Sequence, residues 1–336
     1  MTRTAALLFA VTVVAGAAAC GGGDDDAGSE AAAAGATADG LAGLEVVDDV
    51  DPALPVTVVD STGTEVTIAS TDRIVAVNGD LTEVVFALGL GPRVVARDIS
   101  ATYPAEAAAL PSIGYQRTLT AESIAALDPT VVLANTLAGP PDAIEQLRAL
   151  GLPVVVLDYE DSVDGPGDKI RAAGAVLGVP AVAESLAAAV DSEIGAAVDL
   201  AAGATTEPRV AALYLRGEGT QLLFGPGSGM SVLLDSFGVT DVGAELGVDD
   251  AQPVDIEALL TAAPDALVVT TSGLESVGGV DGLLALHDGA LARTPAGENR
   301  RILVYEDQYL LGFGPRTGAV LADLARDLHP ELEDNQ

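Results

Sequence analysis

Cysteine, lysine, histidine and tryptophan are almost missing from this 336-residue chain: it has one cysteine, Cys20, one lysine, Lys169, two histidines and no tryptophan. A lone thiol has no internal partner, so no disulfide framework exists. Beyond the first twenty residues the soft or imidazole donors reduce to Met230, His287 and His329, too few for a soft-ligand metal centre. Positive charge is equally scarce, with 15 Lys and Arg against 50 Asp and Glu and a formal net charge of −35. Such a surface repels phosphate backbones and anionic head groups, which excludes nucleic acid as a partner. It would also suit a salty habitat. No Ser-His-Asp, Cys-His, paired-carboxylate or metal-hydrolase spacing occurs, and the Gly-rich 225-GPGSGMS-231 lacks the lysine and the strand context of a phosphate loop. These absences argue against an enzyme.

What is present begins with an export signal. Arg3 supplies a short positive region, 5-AALLFAVTVVAGAAA-19 is an apolar run too short to span a bilayer, and 17-AAAC-20 brings small residues up to Cys20. This resembles a bacterial lipoprotein signal, in which the cysteine becomes the lipidated N-terminus. Residues 1–20 are therefore expected to be removed up to Cys20, which would anchor the protein to the outer face of the cytoplasmic membrane. Residues 21–54 open as 21-GGGDDDAGSEAAAAGATADG-40 and have no periodic apolar face, so they read as a flexible tether. No second long apolar segment follows, and the remainder is expected to be soluble.

The rest of the chain is long enough for two lobes, each with its own core. A hairpin is predicted from 56-VTVVD-60 and 65-EVTIAS-70. Short β-branched strands then alternate with Ala- and Leu-rich helices: 73-RIVAVN-78, 81-LTEVVFALG-89, 122-ESIAALDPTVVLA-134 and 142-DAIEQLRALGLPVVVLD-158. This is βαβ order, which implies a largely parallel sheet covered on both faces. The order then repeats. Strand 209-RVAALY-214 answers residues 73–78, and 257-EALLTAAPDALVVT-270 answers 122–135, both displaced by about 135 residues. The Ala-rich segment 166–204 between them predicts a helical connector with a long helix starting near Pro180. The expected architecture is α/β: two Rossmann-like lobes over 55–165 and 205–330, joined by a single long helix, with a ligand cleft between them.

Three stretches, 82-TEVVFALGLGPRVVA-96, 119-LTAESIAALDPTVVLA-134 and 311-LGFGPR-316, make the chain resemble the solute-binding lipoproteins of ABC importers, in the class with a rigid inter-lobe helix that serves siderophores, cobalamin and haem. The motif 113-IGYQRTLTAE-122 is similar to the Gly-Tyr-x-Arg-x-Leu-x-x-Glu signature of haem-binding members, whose tyrosine is an axial iron ligand. In the second half 214-YLRG-217 repeats the Tyr-x-Arg spacing. The resemblance implies haem b as transported ligand, with no catalytic cofactor. It makes Tyr115 and Tyr214 the iron ligands, with Arg117 and Arg216 beside them. Haem chemistry is compatible with this choice. A phenol titrates near 10, but ferric iron and a neighbouring guanidinium both favour the phenolate, a hard anionic ligand.

Arg316 either contacts ligand or caps its Gly-Pro turn. His287 is expected in a loop or cap, His329 is expected exposed, and Asp60 and Asp80 read as solvated surface acids. A ferric siderophore or a corrinoid on the same fold is the alternative ligand, although the lack of tryptophan disfavours a corrinoid. An enzyme or cofactor-handling protein of this fold ranks below both. The implied partners are haem and an ABC permease dimer with its ATPase, the binding protein itself being a monomer.

Glu122 and Glu257 each begin a helix, seven residues before a proline, so the internal repeat gives them equivalent positions in the two halves. The resemblance makes them the acids that dock into arginine pockets of the two permease subunits. As plain helix-terminal acids they would contribute only about 0.3–1 kcal/mol each. Reversing both to lysine is expected to leave ligand affinity and the thermal midpoint intact and to abolish uptake through the permease, measured in a transport assay.

Overall fold

The structure is a computed structural model that describes residues 50–160 and 162–332. The export signal, Cys20 and most of the tether lie outside the described residues. The described end of the tether is packed: the Ala53 N–H donates to the Gly178 carbonyl at 2.8 Å.

Strands β1 (Val56–Val59) and β2 (Glu65–Ile68) pair antiparallel as a hairpin. Strand β3 (Ile74–Ala76) leads into helix α1 (Gly79–Ala87), followed by β4 (Val94–Arg97). Helix α2 (Ala121–Ala125), β5 (Val131–Asn135), α3 (Pro141–Ala149) and β6 (Val154–Leu157) complete the first half. The first sheet has the order β4-β3-β5-β6 with every pairing parallel. Strands β3 and β5 are buried along their whole length, as continuous β-branched runs require when helices cover both faces.

Helices α4 (Gly165–Val176) and α5 (Pro180–Ala201) follow, the second starting with proline at its first turn, where no amide hydrogen is needed. At 22 residues α5 is about 33 Å long. Ala183, Leu186, Ala187, Val190, Ile194, Ala197 and Ala201 form its buried stripe at helical spacing. The second half contains β7 (Arg209–Leu215), β8 (Gln221–Phe224), β9 (Thr240–Asp241), β10 (Ala251–Pro253), helix α6 (Ile256–Ala262), β11 (Ala266–Thr270), β12 (Ile302–Tyr305), and helices α7 (Asp307–Leu311) and α8 (Thr317–Leu328). Its sheet runs β10-β8-β7-β11-β12, with β9 also on β7. This sheet is mixed rather than largely parallel. Strands β9, β7, β11 and β12 pair parallel, but β8 runs antiparallel to β7 and β10. The cause is local: residues 216–220 are a tight turn closed by Arg216 N–H to Thr220 O at 2.8 Å, too short for a crossover.

The largest apolar core is continuous between the halves. It takes Ile74, Val131 and Leu133 from the first sheet, Leu186 and Val190 from α5, and Val210, Val268 and Leu324 from the second half. Separate cores for each half form only on the outer faces. Helices α4 and α8 both pack on α5, and glycine makes the approach possible at each contact. A Cβ at Gly174 would lie 2.1 Å from the Ala183 Cβ, and one at Gly318 would lie 2.6 Å from the Glu193 Cβ.

Charge is buried where the halves meet. Lys169, on α4, donates through Nζ to Asp80 Oδ2 at 2.6 Å and to the Phe313 carbonyl at 2.8 Å. Arg316 grips Glu83 with both nitrogens, Nε to Oε1 at 2.8 Å and Nη2 to Oε2 at 3.0 Å. All four side chains are at least nine-tenths buried. Gln308, on α7, donates through Nε2 to Glu83 Oε2 (2.8 Å) and Gly79 O (2.9 Å), while its Oε1 accepts from the amides of Thr102 (2.8 Å) and Tyr103 (3.0 Å). Burial pushes the Glu83 carboxyl above its ordinary range, with Arg316 and Gln308 pulling against it.

Two acids expected on the surface are thus interior groups. Asp80 is 3 % exposed and Asp60 is 7 % exposed. Asp60 closes the β1–β2 turn by accepting from the Thr62 and Thr64 amides, and it reaches across to Arg148 and the Val156 amide. Burial alone would raise its pKa, yet the Thr62 hydroxyl, these amides and Arg148 hold it below the ordinary 3.8.

Breaking a buried pair leaves an uncompensated charge, which typically costs 3–5 kcal/mol. Lys169→Met is expected to lower the unfolding free energy by about that amount. Adding Asp80→Asn should recover most of the loss, and chemical denaturation of both variants measures it.

Candidate functional site

The carboxyl ends of the parallel strands in both sheets point at the seam between the halves. Helix α1, which supplies Asp80 and Glu83, follows β3; the loop carrying Thr102 and Tyr103 follows β4; and Glu306 and α7 follow β12. In open α/β sheets this edge is where ligands bind.

Tyr115 stands on this edge. After β4 the chain passes through 98–111 and returns beside the strand, with Arg97 bridging Ser112 in parallel and the Ile113 amide donating to Arg97 O at 2.7 Å. Gly114 then takes φ +88, a conformation that glycine adopts without the Cβ clash of other residues. This turn presents Tyr115, 42 % exposed, outward. Gln116 points inward and is 8 % exposed, and Arg117 points out again. The motif therefore displays its tyrosine and arginine on either side of a buried glutamine. Among the described residues the Gln116 Oε1 has no hydrogen-bond partner, nor does the Nδ2 of Asn135 at the end of β5.

Tyr214 is the second-to-last residue of β7, half-buried between the buried Leu213 and Leu215. Its ring meets Phe224 of β8 edge-on, with centroids 6.2 Å apart. Strand alternation puts Tyr214 on the same side as the exposed Arg216.

The partners of these four side chains set them apart. The hydroxyls of Tyr305 and Tyr309 donate to Asp327 and Asp323, and burial raises both phenols well above the ordinary tyrosine range. Among the described residues the hydroxyls of Tyr115 and Tyr214 have no partner. Every other described arginine makes a side-chain hydrogen bond or ion pair, for example Arg73 to backbone carbonyls, Arg171 to Glu184 and Arg300 to Asp281. The guanidiniums of Arg117 and Arg216 make none among the described residues. The structure does not join Arg216 to the Tyr214 oxygen, nor Tyr115 directly to Tyr214.

Arg316 is buried, 3 % exposed, and neither caps its turn nor reaches solvent. Its guanidinium lies 3.8 Å over the Tyr103 ring and 5.1 Å from Tyr309 while holding Glu83. His329 is fully buried instead of exposed, because the segment after α8 folds back: Nε2 lies 2.7 Å from the Phe237 carbonyl and Nδ1 lies 3.1 Å from Thr206 Oγ1. His287 is exposed, at a left-handed kink with φ 53.

Glu122 and Glu257 are exposed in the first turns of α2 and α6, and neither carboxylate has a partner among the described residues. In α6 the capping is done by Asp255, which accepts from the Glu257 and Ala258 amides at 3.1 Å.

Residues 74–309 match the profile of the periplasmic binding proteins. The chain belongs to this family. This binding protein is similar in structure to the periplasmic haem-binding protein RhuT from Roseiflexus sp. RS-1 in apo form, at 46% identity and TM-score 0.75, over 78% of this chain and 100% of that one. It is similar to the haem-binding protein HmuT, at 34% identity and TM-score 0.76, over 84% and 93% of the two chains. Solved variants of HmuT include alanine replacements of a tyrosine and of the arginine two positions beyond it. A third neighbour is the haem-binding protein BhuT in complex with two haems, at 34% identity and TM-score 0.71, over 77% and 98%. Among curated proteins, an uncharacterised ABC transporter substrate-binding lipoprotein of Bacillus subtilis, YvrC, is 30% identical over 42% of this chain and 45% of its own length. A vitamin B12-binding protein of Yersinia pestis is 31% identical over 30% and 36%. The binding protein thus spans less than half the length of these curated relatives.

Sequence reasoning singled out both tyrosines and their arginines, whose hydroxyls and guanidiniums the structure leaves without hydrogen-bond partners among the described residues. It missed Glu83, Gln308 and Lys169, which tie the two halves together along the seam. The signal was available for Lys169, since a lone lysine in a strongly acidic chain is an unusual residue to leave on the surface.

Proposed function

We propose that this protein binds haem outside the cytoplasm and delivers it to an ABC permease for import. One observation carries the proposal: among the described residues the hydroxyls and guanidiniums of both Tyr-x-Arg motifs have no hydrogen-bond or ion-pair partner, whereas the other described arginines are engaged and the tyrosines Tyr305 and Tyr309 donate to carboxylates. Haem supplies what they lack. Ferric iron accepts a phenolate, and propionates and the porphyrin face accept guanidinium by paired hydrogen bonds or stacking. The haem-binding structural neighbours RhuT, HmuT and BhuT support the ligand, and solved HmuT variants carry replacements at the same Tyr-x-Arg spacing.

In this reading haem b is cargo, Tyr115 and Tyr214 are its axial ligands, and Arg117 and Arg216 flank them. The ligand lies between a lobe of residues 55–165 and one of 205–330, with 166–204 as connector. Lipidated Cys20 anchors the protein to the outer face of the cytoplasmic membrane, with YvrC as a lipoprotein relative. Glu122 and Glu257 meet the permease. The vitamin B12-binding relative favours a corrinoid as second reading, but its similarity covers only 30% of this chain.

Titration of the purified protein with ferric haem tests the reading through a saturable Soret band. Replacing Tyr115 and Tyr214 together with phenylalanine is expected to shift or abolish the Soret and charge-transfer bands, and unchanged spectra in the double variant would exclude tyrosine ligation.

Arg216 is assigned the role of tuning Tyr214 once iron draws the phenol into its anionic form. Arg216→Ala should weaken ferric haem binding by one charge-assisted hydrogen bond, about 1.5–3 kcal/mol or roughly tenfold to a hundredfold. Parent-like affinity would leave Arg216 without that role.

A further inference from the structure

Four large apolar side chains are prominently exposed among the described residues: Val59, Ile99, Tyr115 and Leu150. Two of them are neighbours. The Ile99 amide donates to the Gly114 carbonyl at 3.0 Å, which sets Ile99 beside the residue that precedes Tyr115. Ile99 is 54 % exposed.

This exposure does not reflect a loose loop. Asp98 and Ala101, on either side, are fully buried. Asp98 Oδ1 accepts from the Ser100 amide (3.1 Å) and hydroxyl (2.8 Å), and its carbonyl accepts from Arg97 Nη1 at 2.8 Å. Three residues beyond Ile99, the Thr102 amide bonds Gln308 of the second half and its hydroxyl bonds Glu306 at 2.6 Å. Three residues of extended chain reach about 10 Å. Ile99 is therefore held within about that distance of the seam and next to Tyr115, with its side chain turned out of the core.

We propose that Ile99 is a ligand-contacting residue, the apolar platform of the first half against which a planar macrocycle packs while Tyr115 approaches its centre. The proposal takes its ligand class, a porphyrin, from the haem reading. It differs in its physics, because packing on Ile99 needs the ring and not the iron.

Metal-free protoporphyrin IX separates the two. It has the ring and the propionates but no iron for a tyrosine to ligate, and its fluorescence reports binding. Ile99→Asn is expected to fold with an unchanged thermal midpoint, since the site is a surface one. It should weaken both ferric haem and protoporphyrin by about tenfold, the loss of part of the burial of an isoleucine side chain. The bands of the haem still bound should match the parent. Tyr115→Phe should alter haem spectra and leave protoporphyrin affinity within about twofold. If the parent binds protoporphyrin in an Ile99-dependent way yet shows no tyrosinate spectrum with haem, iron ligation fails and the platform stands. If Ile99→Asn binds protoporphyrin as the parent does, or the parent does not bind it, the platform is overturned.

Discussion

The pair of Glu83 and Arg316 is the interaction on which the architecture depends. Each charge is almost wholly withdrawn from water, and its ion-pair partner among the described residues comes from the other half of the chain. Glu83 comes from the helix after β3, and Arg316 from the turn before α8. Separating the halves by a few ångströms would leave both charges in low dielectric without their counter-ion. Leaving such a buried charge unpaired typically costs about 3–5 kcal/mol. Lys169 with Asp80, and Gln308 with its four backbone and side-chain partners, extend the same constraint along the seam. The continuous core through α5 supplies the bulk of the adhesion, and the buried charges fix its register.

A strongly acidic protein makes every arginine valuable as a counter-charge, and here almost every described one is engaged. Arg73, Arg97 and Arg301 tie down carbonyls, while Arg148, Arg171 and Arg209 meet carboxylates. Against that background two arginines beside two unbonded phenols stand out chemically. A guanidinium left in water at a binding edge can approach a carboxylate or a π-face without first giving up a protein partner. The function proposed for this edge follows from what its side chains leave undone.

Much of this was legible in the chain. The β-branched runs at 73–78 and 131–135, and the repeat of their spacing at 209–214 and 266–270, appear as strands of the two sheets. The Pro180 start of the long helix is where the helix begins. The stretches 82–96 and 311–316, noticed as separate pieces, contain the two residues that meet as the Glu83–Arg316 pair. What escaped was partnering at long range. Asp60 is followed by a Ser-Thr-Gly turn, and nothing local reveals that Arg148 and the Val156 amide will enclose it from some ninety residues away. His329 near the end of the chain gave no hint of folding back onto Phe237. The antiparallel β8 was missed because its Gln-Leu-Leu-Phe run is short and its reversal depends on the turn at 216–220.

The glycines at 174 and 318 lie far in sequence from the tyrosines, yet each sits in the same rigid piece as a seam charge. Gly174 shares α4 with Lys169, and Gly318 opens the helix that follows Arg316. A methyl group at either would act as a wedge: the added carbon would press on α5, and the displacement would be passed by a stiff helix to an ion pair that tolerates little movement. The spacing of the two sheet edges is therefore set from behind, by how closely three helix backbones can nest. The distance between those edges is in that sense machined at the back of the molecule.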